Sequence, residues 1–216
     1  MQGWDLEYIA GLGVLGQPLD SCDSKRCYNV RKDDRGRIHL KLVFYGPSLG
    51  GKTTALRWLY GKVEGLQKGE FTAIEDETNR TLFFDYVPMS AGGRVLFDVF
   101  TVAGQKRHRH QRKVVLQGSD GILFVADSSP DQREENTESF EELKLFLGDD
   151  LGRNIPIVVM LNKRDLPNRM SRDEMLDLLG LGSNVPIYET IAVQGVGVKR
   201  AFQAIAREVI LKRMYK

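Results

Sequence analysis

Cysteine is nearly absent: the 216 residues hold two, Cys22 and Cys27, with four residues between them and no second pair to complete a zinc site. They read as free thiols of a reducing compartment, and a disulfide scaffold is excluded. No stretch approaches the roughly 18 consecutive apolar residues of a candidate membrane span, so no integral membrane protein is expected. An excess of one charge is missing too. The 31 basic and 29 acidic side chains leave a formal net charge of +2, which gives no reason to expect nucleic acid as the main partner. The first residues carry Asp5 and Glu7 where a signal peptide would be cationic. Gly does not follow Met1, and the last residues, Met214-Tyr215-Lys216, match no prenylation pattern. The expectation is a cytoplasmic, unlipidated protein. Internal repeats and low-complexity tracts are also lacking, so nothing points to a solenoid or a disordered chain.

What is present suits one sizeable core: 42% of the residues are hydrophobic. Residues 1–36 differ from the rest, with a glycine-punctuated apolar piece followed by a charged stretch. They read as a poorly ordered extension, a short docking helix and an artefact of start-codon choice being the alternatives, and residues 37–216 as the domain. From Ile38 onward, apolar strand-like runs alternate with segments of helical periodicity, which argues for an α/β domain with a mainly parallel sheet covered on both faces. Counting them gives about six strands and five helices. Residues 81–87 and 95–102 read as two strands joined by a turn at 89–93, which places one antiparallel strand at the sheet edge. Residues 61–78 form a long polar link of the kind that is often functional. Residues 171–174 carry a capping-box pattern opening a helix.

The stretch Gly46-Pro47-Ser48-Leu49-Gly50-Gly51-Lys52-Thr53 fits G-x-x-x-x-G-K-[ST] between a strand-like run and a helix-like one. Strand, glycine-rich turn and helix are what a phosphate cradle requires, because backbone N–H groups of the turn and the helix N-terminus must converge on one anion. Gly46, Ser48, Gly50, Gly51, Lys52, Thr53 and Thr54 are the candidate phosphate-binding residues. Lys52 would bridge the outer phosphates, and Thr53 would give its hydroxyl to Mg²⁺.

Downstream, Asn162-Lys163-Arg164-Asp165 follows a buried strand. An amide and a carboxylate three residues apart can meet one purine edge. A carboxylate matches the N1–H and amine of guanine and finds no such donor pair on adenine, so the ligand expected is GTP or GDP. Lys163 would lay its stem along the base. In Thr101-Val102-Ala103-Gly104-Gln105, the N–H of Gly104 would approach a γ-phosphate and Gln105 would orient the attacking water. In Asn79-Arg80-Thr81, Thr81 would reach Mg²⁺ and sense the third phosphate, with Thr72 and Thr78 as rivals, and Arg80 would neutralise charge developing during transfer. The catalytic set is therefore Lys52, Arg80 and Gln105.

With these four motifs in order, the chain from about Ile38 onward resembles the Ras-superfamily GTPases, and within them the bacterial MglA family. Thr101, standing where an aspartate usually precedes Ala-Gly-Gln, and the run Arg80-Thr81-Leu82-Phe83-Phe84-Asp85 carry the finer resemblance. Val125-Ala126-Asp127-Ser128 looks Arf-like. The resemblance implies the P-loop small-GTPase fold, Mg²⁺, slow GTP hydrolysis and a monomeric switch acting in cell polarity or motility. It further implies a Roadblock-type activating protein, with partners engaging residues about 70–90 and 103–113. By the same resemblance, the N–H of Ala192 would contact guanine O6. A threonine at 101 supplies no charge to the metal's water shell, so the metal would lean on Asp98 or Thr81, and Ser48 would crowd Gln105. The basic run Lys106 to Lys113 reads first as a solvated switch surface, second as a site for an acidic partner or an anionic membrane, and only third as a DNA contact, since one short cluster can neutralise only a few phosphates.

Overall fold

The computed structural model describes residues 30–62, 67–75, 81–91, 94–182 and 184–214, with side chains described except at 73–75, 81–83 and 91. In chain order the elements are β1 (Arg31–Lys32), β2 (Ile38–Tyr45), α1 (Lys52–Lys62), β3 (Gln67–Lys68), β4 (Thr72–Glu75), β5 (Thr81–Ala91), β6 (Val95–Val102), α2 (Arg109–Leu116), β7 (Gly121–Asp127), α3 (Arg133–Leu147), β8 (Ile157–Asn162), α4 (Arg172–Leu179), β9 (Ile187–Glu189) and α5 (Val198–Met214).

One sheet runs β3-β5-β6-β2-β7-β8-β9, with β1 paired to the start of β2 and β4 paired to β5. From β6 to β9 every pairing is parallel, and β5 runs antiparallel to β6. The six-stranded frame expected from the sequence is present. The described sheet nevertheless has nine strands, because three short ones are added. Two of these, β3 and β4, come from the polar link and cover the outer edge of β5, so β5 is not the edge strand. A polar composition does not prevent pairing where an unpaired ladder is waiting. Strand β1 lies within the stretch assigned to the extension; residues 1–29 lie outside the described residues. β5 also continues through Ala91, past the point where the sequence suggested a turn.

Side-chain alternation along β2 builds both faces. Ile38, Leu40, Leu42 and Phe44 join α1 and α5 in one core, while Val43 and Tyr45 join α2, α3 and α4 in the other. β7 is buried at every residue, as a central strand covered on both faces must be. α4 starts with the expected capping box: Ser171 accepts from the Glu174 N–H and the Glu174 carboxylate accepts from the Ser171 N–H. The C-terminal ends of β2, β6, β7, β8 and β9 all open on the same edge of the sheet, where open α/β sheets bind their ligands. All the described motifs of the chain therefore sit together.

Candidate functional site

Glycines in and beside the loop after β2 sit where a Cβ would clash. Gly51 has φ +103°, and a Cβ there would lie 2.1 Å from the Asn162 amide nitrogen. Gly104, after β6, packs so closely on the loop that a Cβ would lie 2.5 Å from the Ser48 backbone. Among the described residues only two non-glycines have positive φ, Leu49 at 59° and Lys163 at 63°. They fall in the phosphate loop and in the Asn-Lys-Arg-Asp turn. Such backbone costs on the order of 1 kcal/mol and persists where surrounding contacts enforce it, commonly at ligand sites.

Lys52 is buried, and its Nζ donates to the carbonyls of Gly46 at 2.9 Å and Pro47 at 2.6 Å. Burial, and after it the positive charge of Arg112, push its pKa down to about 7 against a smaller opposing pull from Asp85. An anion arriving in the loop would restore the full charge.

Asp98 does not serve this site. It points from the opposite face of β6, where its carboxylate meets His39 Nδ1 at 3.0 Å and accepts from the Tyr86 hydroxyl at 3.0 Å. The carboxylate at the loop is Asp85 of β5, which the sequence reading passed over. Asp85 faces Thr101 across the β5–β6 ladder, and its Oδ2 accepts from Thr101 Oγ1 at 2.5 Å and from Thr53 Oγ1 at 2.6 Å. The negative charge missing at position 101 is thus supplied from the neighbouring strand. A buried carboxylate bonded to the threonine hydroxyl of the loop is the hard-oxygen donor set that suits Mg²⁺. The signal in the sequence was the pairing register: residue 85 can face 101 only if the two strands align so.

Asn162 is buried and its amide is hydrogen-bonded within the protein. It donates to the Gly50 carbonyl at 2.8 Å, and its Oδ1 accepts from Thr190 Oγ1 at 3.1 Å and from the Ala192 N–H at 2.9 Å. These bonds clamp the phosphate loop to the loop after β9. The physical reason is that buried polar groups must be satisfied. Lys163 pairs with the buried Asp127 carboxylate at 2.5 Å, and Asp165 is exposed at the mouth of the turn.

Gln105 is half-buried beside Gly104. The basic run after it is not uniformly solvated. Lys106 pairs with Glu138 at 2.5 Å and Arg109 with Glu142 at 3.1 Å, while Arg112 is buried against Glu142. Arg80 and Thr78 lie outside the described residues, as does the side chain of Thr81, whose backbone begins β5; Thr72 is exposed in β4.

A phosphate loop, a carboxylate-held threonine and an Asn-Lys-Arg-Asp turn on one sheet edge define a guanine-nucleotide-binding α/β domain of the small-GTPase kind. A family model described as the ADP-ribosylation factor family matches residues 27–209. The chain is 43% identical over 180 residues to the mutual gliding-motility protein MglA of Myxococcus xanthus (strain DK1622), an alignment covering 80% of this chain and 91% of that one. Among solved structures, the Arl6 (BBS3) small GTPase from Trypanosoma brucei with bound nucleotide analogue GppNp matches with a TM-score of 0.62 at 21% identity, covering 81% of this chain and 99% of that one. The chain therefore belongs to the ADP-ribosylation factor family, within the Ras-superfamily GTPases and near MglA. It is a GTP-binding switch that uses Mg²⁺ and hydrolyses GTP to GDP, and it works through activating and effector proteins. No helix among the described residues is long and apolar enough to cross a membrane.

Proposed function

We propose that nucleotide is held and turned over by the following residues, in a cytoplasmic, monomeric switch. Backbone N–H groups of residues 46–54, from Gly46 through Ser48, Gly50 and Gly51 to Thr54, cradle the phosphates with the Lys52 ammonium. Thr53 would hold Mg²⁺ with the Asp85 carboxylate orienting its hydroxyl, and the ion would neutralise charge on the phosphates. Gly104 offers its N–H to the γ-phosphate and Gln105 orients the water. Arg80 completes charge neutralisation, and Thr81 joins the metal when the third phosphate is present. Asp165 reads guanine, Lys163 lines the base, and Asn162 with Ala192 keeps both loops in register. The observation that carries this reading is Asp85, a buried carboxylate bonded to both Thr53 and Thr101 at the one place where a metal would need it. The likeness to MglA supports a Roadblock-type activator and a role in cell polarity or motility, with residues about 70–90 and 103–113 as the partner-facing surface. Single-turnover hydrolysis with Mg²⁺ tests the assignment: Gln105→Ala and Arg80→Ala should each slow the step at least about tenfold with GDP binding retained. Wild-type rates in both variants would overturn it.

A further inference from the structure

Arg112 is the anomaly of the basic run. The side chains of Lys106 and Arg109 are 71% and 57% exposed, whereas that of Arg112 is 7% exposed. A guanidinium is buried only when its donors are met. Its Nε and Nη2 grip both oxygens of Glu142 on α3, at 2.6 and 3.0 Å. Its Nη1 donates to the backbone carbonyls of Ala103 at 3.0 Å and Gln105 at 2.6 Å. Glu142 is held in turn by the hydroxyl of buried Tyr45, the last residue of β2 before the phosphate loop, and by Arg109.

We propose that Arg112 is the positioning residue of the hydrolytic loop, setting through Ala103 and Gln105 the peptide orientation with which Gly104 and Gln105 meet the γ-phosphate. The carbonyl of Ala103 and the N–H of Gly104 belong to one planar trans peptide unit and point in opposite directions. Drawing the oxygen toward Arg112 therefore turns the Gly104 N–H away from α2, and the positive charge on the oxygen makes that N–H a stronger donor. Holding the Gln105 carbonyl fixes the next peptide plane but one, so the backbone on both sides of Gln105 is set by a single planar fork. The Glu142 carboxylate and Tyr45 keep that fork in place from α3 and from the base of the phosphate loop. A lysine could supply the charge and could not make four directed bonds. Arg112 touches no nucleotide by this account; it acts through the loop.

The inference rests on the assignment of Gly104 and Gln105 given above, and the test separates the two. Affinities for GDP and for a non-hydrolysable GTP analogue, with single-turnover hydrolysis of GTP, are measured with Mg²⁺ on the full chain and on Arg112→Lys, Glu142→Gln and Gln105→Ala. For Arg112→Lys the GDP affinity should stay within about twofold, while analogue affinity and hydrolysis each fall about tenfold, the scale of a lost charged hydrogen bond. Glu142→Gln should move the same two quantities in the same direction by a smaller factor, and it carries the test if Arg112→Lys does not fold. A purely structural Arg112 would lower GDP and analogue affinity together, or lower only the melting temperature, and either result overturns the inference. Slow hydrolysis in Gln105→Ala beside an unchanged analogue-to-GDP ratio and rate in Arg112→Lys overturns the inference and leaves the site assignment standing. Wild-type hydrolysis in Gln105→Ala overturns the site assignment and the inference with it.

Discussion

Replacing Asp85 with asparagine removes one buried charge at the phosphate loop while keeping an oxygen for the hydroxyls of Thr53 and Thr101. Two unit charges 4 Å apart interact by about 4 kcal/mol at an effective dielectric of 20, which sets an upper scale for what the carboxylate supplies per charge of the metal. The cost of burying the carboxylate and the competing Lys52 ammonium subtract from it. Loss of the partner that orients a metal ligand usually weakens metal binding about 10- to 100-fold, or roughly 1.4–2.7 kcal/mol, and that is the magnitude expected here. The assay is GDP dissociation followed by a fluorescent nucleotide across a Mg²⁺ titration, the midpoint reporting metal affinity. Asp85→Asn should raise the midpoint by that factor. Thr101→Asp added to Asp85→Asn should bring it back to within a few-fold, because positions 85 and 101 face each other across the ladder. Thr101→Asp alone should destabilise the fold, since two carboxylates would share one buried site. A wild-type midpoint in Asp85→Asn would refute the reasoning outright, and so would a double variant no better than the single one.

Because the Lys52 pKa is pushed down to about 7 without nucleotide, above that pH the side chain must take up a proton to meet phosphate. Nucleotide affinity should then fall by up to about tenfold per pH unit above 7. Calorimetry at pH about 8.5 in two buffers of different ionisation heat should register that uptake, and Lys52→Arg, always charged, should not. Asn162→Ala leaves the buried N–H of Ala192 and the carbonyl of Gly50 without their partner. At about 1–3 kcal/mol for such a loss, GDP dissociation measured by stopped flow should quicken about 10- to 100-fold. Ser171→Ala removes one half of the capping box of α4. It should cost about 1 kcal/mol and lower the thermal midpoint by about 2–4 °C, with GTPase rate unchanged.

Local chemistry made much of this protein legible in advance. Gly-rich loop, following helix, Asn-Lys-Arg-Asp turn and capping box are each written within a few consecutive residues, and apolar runs and helical periodicity marked the six strands of the main frame and the helices. Those signals work because backbone sterics and hydrogen bonding act over short separations. Three things needed the folded chain. The substitute for the missing aspartate stands 16 residues from Thr101 and 32 from Thr53, and only the register of β5 on β6 brings it there. The amide of Asn162 reaches across 112 residues to Gly50, tying the phosphate loop to the turn after β8. Arg112 is one cation among several in a basic run, and the phase of α2 against α3 is what buries it on Glu142. Sequence order alone specified which chemical groups the chain carries and the local turns that present them. Register, helix phase and the cost of burying an unpaired polar group decided which of those groups meet.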